Sequence, residues 1–292
     1  MNRPTLILLC GIPGSGKSTY AEKYIKTHPN TVHLSSDRIR AELWGNEATQ
    51  GDNNEVFSLM QFRAIEALNN YQSVVYDATN VTRKDRSCII ALCPKFAKIE
   101  CHIIWAPIET CIERDAARER TVGKAVIDRM LKRFQAPYYD EGIDDIRVIW
   151  NTEESFNQSR YLKNLIRSSC VPHDNPHHTL NIQEHCSAAY NYAVDNHFPS
   201  YLLMAAEYHD IGKPYVKAFV DSKGNPSEYA HYYQHQCVSA YMYYGIDRHN
   251  FFIAWLISTH MDPYLNTKYY NRLPAYLKKQ VDLLHEADRN AH

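Results

Sequence analysis

Residues 5–10 (TLILLC) form an uninterrupted apolar run of the length expected for a strand buried on both faces. A glycine-rich turn follows it, and 17–27 (KSTYAEKYIKT) then predicts a helix stopped before Pro29. Further short apolar runs at 31–35, 73–77, 99–105 and 146–150 predict strands, and the stretches 37–44, 54–69, 109–119 and 125–135 carry helical patterns. Strands alternating with helices imply a parallel sheet with helices on both faces. From about residue 153 the alternation stops. The remainder predicts an all-α region with helices at 154–167, 182–195, 200–209, 229–244, 249–260 and 274–289, separated by proline-marked loops. The expected division is 1–152, a connecting helix or linker over 153–170 with Thr152 as its N-cap, and 171–292. No internal repeat or low-complexity segment interrupts it.

The 292-residue length agrees with two domains, and 45% hydrophobic residues suffice for two cores. The longest apolar runs, such as 251–257 (FFIAWLI), fall far short of a membrane span, so no membrane association is expected. No signal peptide opens the chain, and the eight cysteines form no CxxC pair, which suggests a reduced, cytoplasmic protein. The net charge of −1 argues against a broadly basic nucleic-acid binder. Locally, however, 83–133 holds 12 Lys/Arg against 7 Asp/Glu, a net +5 that can face phosphates. Histidine is unevenly spread, with 3 in residues 1–150 and 12 in 151–292, which raises the question of a metal in the second half.

Gly11-Ile12-Pro13-Gly14-Ser15-Gly16-Lys17-Ser18 fits the phosphate-binding loop G-x-x-x-x-G-K-[ST], in the required place between a strand and a helix. Its backbone N–H groups and the helix N-terminus would cradle phosphate oxygens. Lys17 would bridge the β- and γ-phosphates of ATP, and Ser18 would ligate Mg²⁺. Gly11, Gly14, Ser15, Gly16, Lys17, Ser18 and Thr19 are the expected nucleotide contacts. Asp37 follows the second strand, at the sheet edge where ligands bind in such folds. A carboxylate there either accepts a proton from an attacking hydroxyl or caps a helix. Asp77 ends the third strand, placed to lie near Mg²⁺, to orient substrate or simply to cap a turn. Arg114, Arg118 and Arg120 suit a mobile phosphate lid and equally a solvated charged face.

In the second half His185, His209, Asp210, His235, His260 and Asp288 recur at intervals of 24, 25, 25 and 28 residues, each on or at the end of an expected helix. Helices spaced in this way can direct one side chain each into a shared bundle core, where metal sites are built. Imidazole and carboxylate together suit Mn²⁺, Ni²⁺, Co²⁺, Fe or Zn²⁺ and do not choose among them. A metal held there would acidify water and clamp a phosphate.

The ordered motifs GIPGSGKSTYAEKY, SSDRIR, VVYDATN, ERDAAR and GKAV over about 1–150 resemble the phage-type 5′-hydroxyl polynucleotide kinases. The resemblance implies that Asp37 is the general base, that Arg40 contacts the acceptor-side phosphate, and that Arg118 contacts ATP phosphates. Extra residues before Lys124 leave Arg120 as the alternative for that last role. The D-x-D-x-T motif of that family's phosphatase partner is absent. EYHDIGK (207–213), NPHHTLNIQEH (175–185) and HEADRNAH (285–292) instead resemble the HD phosphohydrolase superfamily over about 170–292. This implies a first metal on His185, His209, Asp210 and Asp288. His235, with His231 as fallback, and His260 would hold a second metal or the phosphate. Lys213 would contact the scissile phosphate and His178 the substrate, while His173, 177, 197, 249, 285 and 292 are taken as surface or structural.

The implied architecture is an α/β P-loop kinase domain followed by an all-α HD domain. The implied activity is bifunctional healing of RNA or DNA ends: phosphorylation of 5′-OH with ATP and Mg²⁺, and metal-dependent removal of 2′,3′-cyclic, 2′- or 3′-phosphate. A nucleic-acid ligase is the natural partner. Two alternatives stay open: a small-metabolite or nucleoside kinase fused to a nucleotidase-like domain, and an ATP-dependent switch with a nucleotide-sensing second domain.

Overall fold

The computed structural model describes residues 3–46, 51–176 and 179–291. They form two compact units, one of residues 1–130 and 137–152, the other of residues 131–136 and 153–292.

In the first unit the elements run β1 (Thr5–Cys10), α1 (Lys17–Thr27), β2 (Thr31–Ser35), α2 (Ser36–Trp44), α3 (Asn53–Asn69), β3 (Ser73–Asp77), α4 (Arg83–Ile90), β4 (Lys98–Trp105), α5 (Ile108–Ala116), α6 (Lys124–Leu131) and β5 (Asp145–Trp150). The five strands form one parallel sheet in the order β2-β3-β1-β4-β5. Because β1 is flanked on both sides, Leu6 to Cys10 are all fully buried, which is what its unbroken apolar run required. The chain crosses from one side of β1 to the other between β3 and β4, so the crevice at the carboxyl end of β1 is the switch point where α/β folds place ligands.

Local chemistry sets the helix ends. Ser35 caps α2 by accepting from the Arg38 N–H, and Thr82 and Asp85 form a reciprocal capping box on α4. Helix α5 stops at Ala116, shorter than its pattern predicted, because the buried Asp115 carboxylate turns back to accept from Val122 N and Gly123 N.

The second unit contains α7 (Gln158–Ser169), α8 (Ile182–Asp195), α9 (Ser200–Tyr208), α10 (Lys213–Val216), β6 (Ala218–Val220), β7 (Pro226–His231), α11 (His235–Tyr243), α12 (Phe251–Thr259), α13 (Asp262–Leu265), α14 (Thr267–Arg272) and α15 (Ala275–Arg289). Residues 131–136 pack into it: Phe134 is buried edge-on against Tyr241 and Tyr244, and Ala136 N donates to Ser258 Oγ at 3.2 Å. Two expectations need correction. Helix α7 begins at Gln158, capped by Asn157 Oδ1 on Arg160 N at 2.8 Å, and not after Thr152. The helix expected from 229 begins only at His235, since Pro226–His231 pairs antiparallel with β6. The turn between those strands has its own chemistry: Asp221 Oδ1 accepts from Lys223 N and Asn225 N, and Gly224 takes φ 87°, which favours glycine. The unit is otherwise helical. No helix among the described residues is long and apolar enough to cross a membrane.

Candidate functional site

The first centre is the loop between β1 and α1. Gly14 (φ 82°) and Gly16 (φ 93°) adopt left-handed backbone, and neither site has room for a side chain. A Cβ on Gly14 would lie 2.1 Å from Cys111 O, and one on Gly16 would lie 1.9 Å from Asn151 Nδ2. The sequence motif explains the glycines through phosphate approach alone. The structure adds that the loop is cradled by β5's continuation, where Asn151 Nδ2 donates to Ser15 O at 2.8 Å and Arg114 holds Asn151 O at 2.9 Å. Asn151 is a site residue that sequence reasoning missed, because nothing in its neighbourhood resembles a motif.

Lys17 is buried, and its ammonium donates to Ile12 O at 2.9 Å. Burial lowers its pKa, with the nearby Asp77 carboxylate opposing that shift. Ser15 is fully buried with its Oγ unpartnered, while Ser18 and Thr19 are exposed. Asp77 is 4% exposed at the end of β3, where His33 Nε2 lies 3.1 Å from its Oδ2. Asp37 sits in the first turn of α2, does not cap the helix, and leaves half its side chain in solvent. Arg40 Nη1 donates to Asp37 Oδ1 at 2.8 Å, and Arg120 Nη1 lies 3.6 Å from the same oxygen. Arg120 thus reaches the carboxylate of Asp37, whereas Arg118 is exposed and its charge bears on Lys17.

The second centre is built from five elements. His185 comes from α8, His209-Asp210 from the end of α9, His235 from the start of α11, His260 from the end of α12 and Asp288 from α15. Ligand atoms of His185, His209, Asp210 and Asp288 lie within 4.8 Å of one another, as do those of Asp210, His235 and His260, so Asp210 belongs to both groups. His185 Nε2 and His209 Nε2 lie 2.9 and 3.3 Å from Asp288 Oδ1, and His235 Nε2 lies 3.0 Å from Asp210 Oδ1. Lys213 Nζ approaches Asp210 Oδ2 at 2.5 Å. His231, the fallback for His235, lies on β7, bonded to Ser227 and stacked on Tyr233. His178 lies outside the described residues.

Each of the four clustered imidazoles directs its Nδ1 at a backbone carbonyl: Ala291, Ala206, Tyr232 and Ile257 for His185, His209, His235 and His260. A carbonyl only accepts, so each Nδ1 carries a proton and it is the Nε2 atoms that face the centre. His235 Nε2 and His260 Nε2 face each other at 3.2 Å, close enough to share a proton or to face one cation. Asp210 is 1% exposed, with Lys213 Nζ and His209 Nε2 at 2.5 and 3.2 Å from its Oδ2 and His235 Nε2 at 3.0 Å from its Oδ1. Burial and then its histidine neighbours hold His260 down to about 3. Burial also works against charge on His209 and on the two carboxylates, but their mutual attraction wins, keeping His209 above and Asp210 and Asp288 below their ordinary values.

Comparison with known proteins yields a family model for each half: an AAA domain over residues 6–137 and an HD domain over residues 177–289. The chain is a P-loop kinase domain joined to an HD domain. It is 26% identical over 159 residues to the transcription factor bHLH140 of Arabidopsis thaliana, covering 52% of this chain and 16% of that protein. It is also 26% identical over 173 residues to the L-seryl-tRNA(Sec) kinase of Methanococcus maripaludis, covering 55% of this chain and 64% of that one. A chain of the solved Pnkp1/Rnl/Hen1 RNA repair complex shares 25% identity, with a TM-score of 0.41 over 46% of this chain and 44% of its own. The chain spans less than two thirds of each of these proteins.

The kinase domain implies ATP and Mg²⁺, and the HD domain implies a divalent metal. The inward-facing Nε2 atoms, the buried Asp210 carboxylate shared by both groups and the carbonyls that orient each imidazole are what such a metal requires of its surroundings. One histidine set aside in the sequence as surface or structural also belongs here. His173 is 1% exposed, its ring lies edge-on to His185 at 5.6 Å, and its Nε2 is 3.3 Å from Lys213 Nζ. Burial, and after it the Lys213 charge, depress it to about 4. It lies outside the H…HD…H…H…D order, so no motif could announce it.

Proposed function

We propose that the chain heals broken nucleic-acid ends, with its kinase domain (1–152) phosphorylating 5′-OH ends and its HD domain (171–292) clearing 2′,3′-cyclic, 2′- or 3′-phosphate. The observation that carries this reading is the pairing of one exposed carboxylate, Asp37, with two guanidinium groups, after a strand of the same sheet that carries the phosphate-binding loop. A polynucleotide acceptor needs a base for its terminal hydroxyl and cations for the flanking phosphate, and this group offers both.

In the first reaction Lys17 and the loop N–H groups bind the ATP phosphates, and Ser18 would hold the Mg²⁺ that screens their charge. Asp37 takes the proton from the 5′-OH as its oxygen bonds to the γ-phosphorus and the bond to ADP breaks. Arg40 binds the acceptor strand's phosphate, and Arg118, or Arg120 in its place, binds the ATP phosphates. For the second reaction a divalent metal held by His185, His209, Asp210 and Asp288 would supply Lewis-acid charge and acidified water, and His235 and His260 would bind a second metal or the phosphate. Lys213 binds the scissile phosphate. The similarity to a protein named as a tRNA-linked kinase supports an RNA acceptor, and the 5′-phosphate and 3′-OH produced are the ends a ligase joins.

The test is one RNA bearing a 5′-OH and a 2′,3′-cyclic phosphate, incubated with ATP, Mg²⁺ and Mn²⁺ or Ni²⁺. Asp37→Ala should lower 5′ phosphorylation about 10²–10⁴-fold and spare the 3′ end. His209→Ala should do the reverse. If mononucleosides or sugars outcompete the RNA as acceptors, the kinase is a metabolite kinase. If no phosphomonoester yields product with any metal, the second domain is a sensor.

A further inference from the structure

We propose that His173 is a positioning residue of the HD centre, holding the Lys213 ammonium toward the phosphate to be hydrolysed. This inference rests on the phosphoesterase reading given above.

His173 is buried in a loop that the surrounding chain pins from several directions. Pro172 bridges to Asn181, and Lys217 Nζ donates to Pro172 O at 2.7 Å and to Asp174 Oδ2 at 2.5 Å. Ala230 N donates to Asp174 O at 2.8 Å, and the Tyr232 hydroxyl donates to His173 O. Asp174 itself takes φ 47°, a left-handed conformation tolerated by Asp, which helps turn the His173 ring inward. This amount of anchoring around a solvent-excluded imidazole exceeds what a loop needs merely to connect α7 and α8.

The proton on the ring decides what it can do. Nδ1 lies 2.8 Å from Leu180 O, which can only accept, so Nδ1 carries the hydrogen. Nε2 is then an acceptor, and Lys213 Nζ, 3.3 Å away, donates to it. The second anchor of that ammonium is Asp210 Oδ2 at 2.5 Å, and the Tyr232 ring covers a third side with its centroid 5.5 Å away. An ammonium has three N–H bonds. With one directed at His173 and one at Asp210, the third is left for a substrate oxygen. Without the Nε2 acceptor the ammonium is held by Asp210 alone and can turn about that contact, so its third N–H is no longer aimed at the phosphate.

Two near-isosteric variants separate this role from loop architecture. In His173→Gln the side-chain oxygen takes the place of Nε2 as acceptor for Lys213. In His173→Asn the amide can still donate to Leu180 O but offers Lys213 nothing. The full chain, metal-loaded as purified, is titrated with inorganic phosphate by calorimetry, and kcat and KM are measured on RNA ending in 2′,3′-cyclic phosphate. We expect His173→Asn to bind phosphate about tenfold more weakly and to raise KM about tenfold, in line with the effect of losing an outer partner of a site, with His173→Gln within about threefold of wild type. Metal content and 5′-kinase activity should be unchanged in both. The proposal is overturned if Gln is impaired and Asn is not, if the two behave alike, if either loses metal, or if the wild type binds no phosphate. A wild type that binds phosphate yet leaves the RNA terminus intact refutes the phosphoesterase reading instead, while the phosphate titration still judges His173.

Discussion

Arg86 is the largest charged group wholly withdrawn from solvent in the kinase domain. Its Nε and Nη2 donate to Glu141 Oε2 and Oε1 at 2.7 and 2.6 Å, and its Nη1 donates to Asn80 O at 2.9 Å. Burial works against its charge, and Glu141 more than offsets that tendency. The loop it grips supports the nucleotide site, because Asn80 Nδ2 donates to Leu9 O at 2.7 Å and Gly11 N donates to Thr79 O at 3.0 Å. Glu141→Gln therefore leaves a buried cation without its anion, a loss of about 3–5 kcal/mol. For a domain of this size that lowers the kinase transition by about 6–20 °C. Replacing both residues together, Arg86→Met with Glu141→Leu, removes the charge as well as its partner and should restore most of the loss. Differential scanning calorimetry can follow this, with the kinase transition identified as the one raised by an ATP analogue. A Glu141→Gln shift below about 3 °C, or a double variant no more stable than the single one, would refute the argument.

Gly14→Ala should weaken a fluorescent ATP analogue at least about tenfold without affecting HD activity, since its Cβ would stand 2.1 Å from Cys111 O at φ 82°. The hydrogen bond from His102 holds Glu100 down to about 2, below its ordinary 4.5, so this group stabilises the fold above pH 4.5 and loses that contribution as pH falls toward 2. Glu100→Gln should accordingly cost up to about 3 kcal/mol in urea unfolding at pH 7, with a gap to wild type that closes on acidification. Chelation should abolish 3′-end release and lower the HD transition while leaving the kinase transition in place, because a ligand present at 1,000 times its Kd contributes about 4 kcal/mol. Equal shifts in both transitions would count against a metal confined to the HD domain.

The two-part architecture could be read from the chain because its signals are local. A buried parallel strand must be apolar along its length, as 5–10 is, and a phosphate loop must place glycines and Lys17 between strand and helix. The resemblance to the HD superfamily further named the histidines and carboxylates that the second domain gathers into two groups, each within 4.8 Å. Misplaced boundaries came from competing local bonds. Asn157 offered α7 a better cap than Thr152, and the Asp221–Asn225 turn drew 226–231 into a hairpin where a helical pattern continued.

What only tertiary structure decided is who touches whom across long separations. Asn151 meets the phosphate loop 136 positions away, Glu141 neutralises Arg86 across 55, and His173 faces Lys213 across 40. None of these pairs has a spacing or motif, since each is fixed by strand order or by a pinned loop, and a histidine's tautomer depends on which carbonyl the fold sets beside its Nδ1. The sequence by itself determined which chemical groups the protein owns and the elements that carry them. Packing determined their protonation, their pairing and the direction in which each one points.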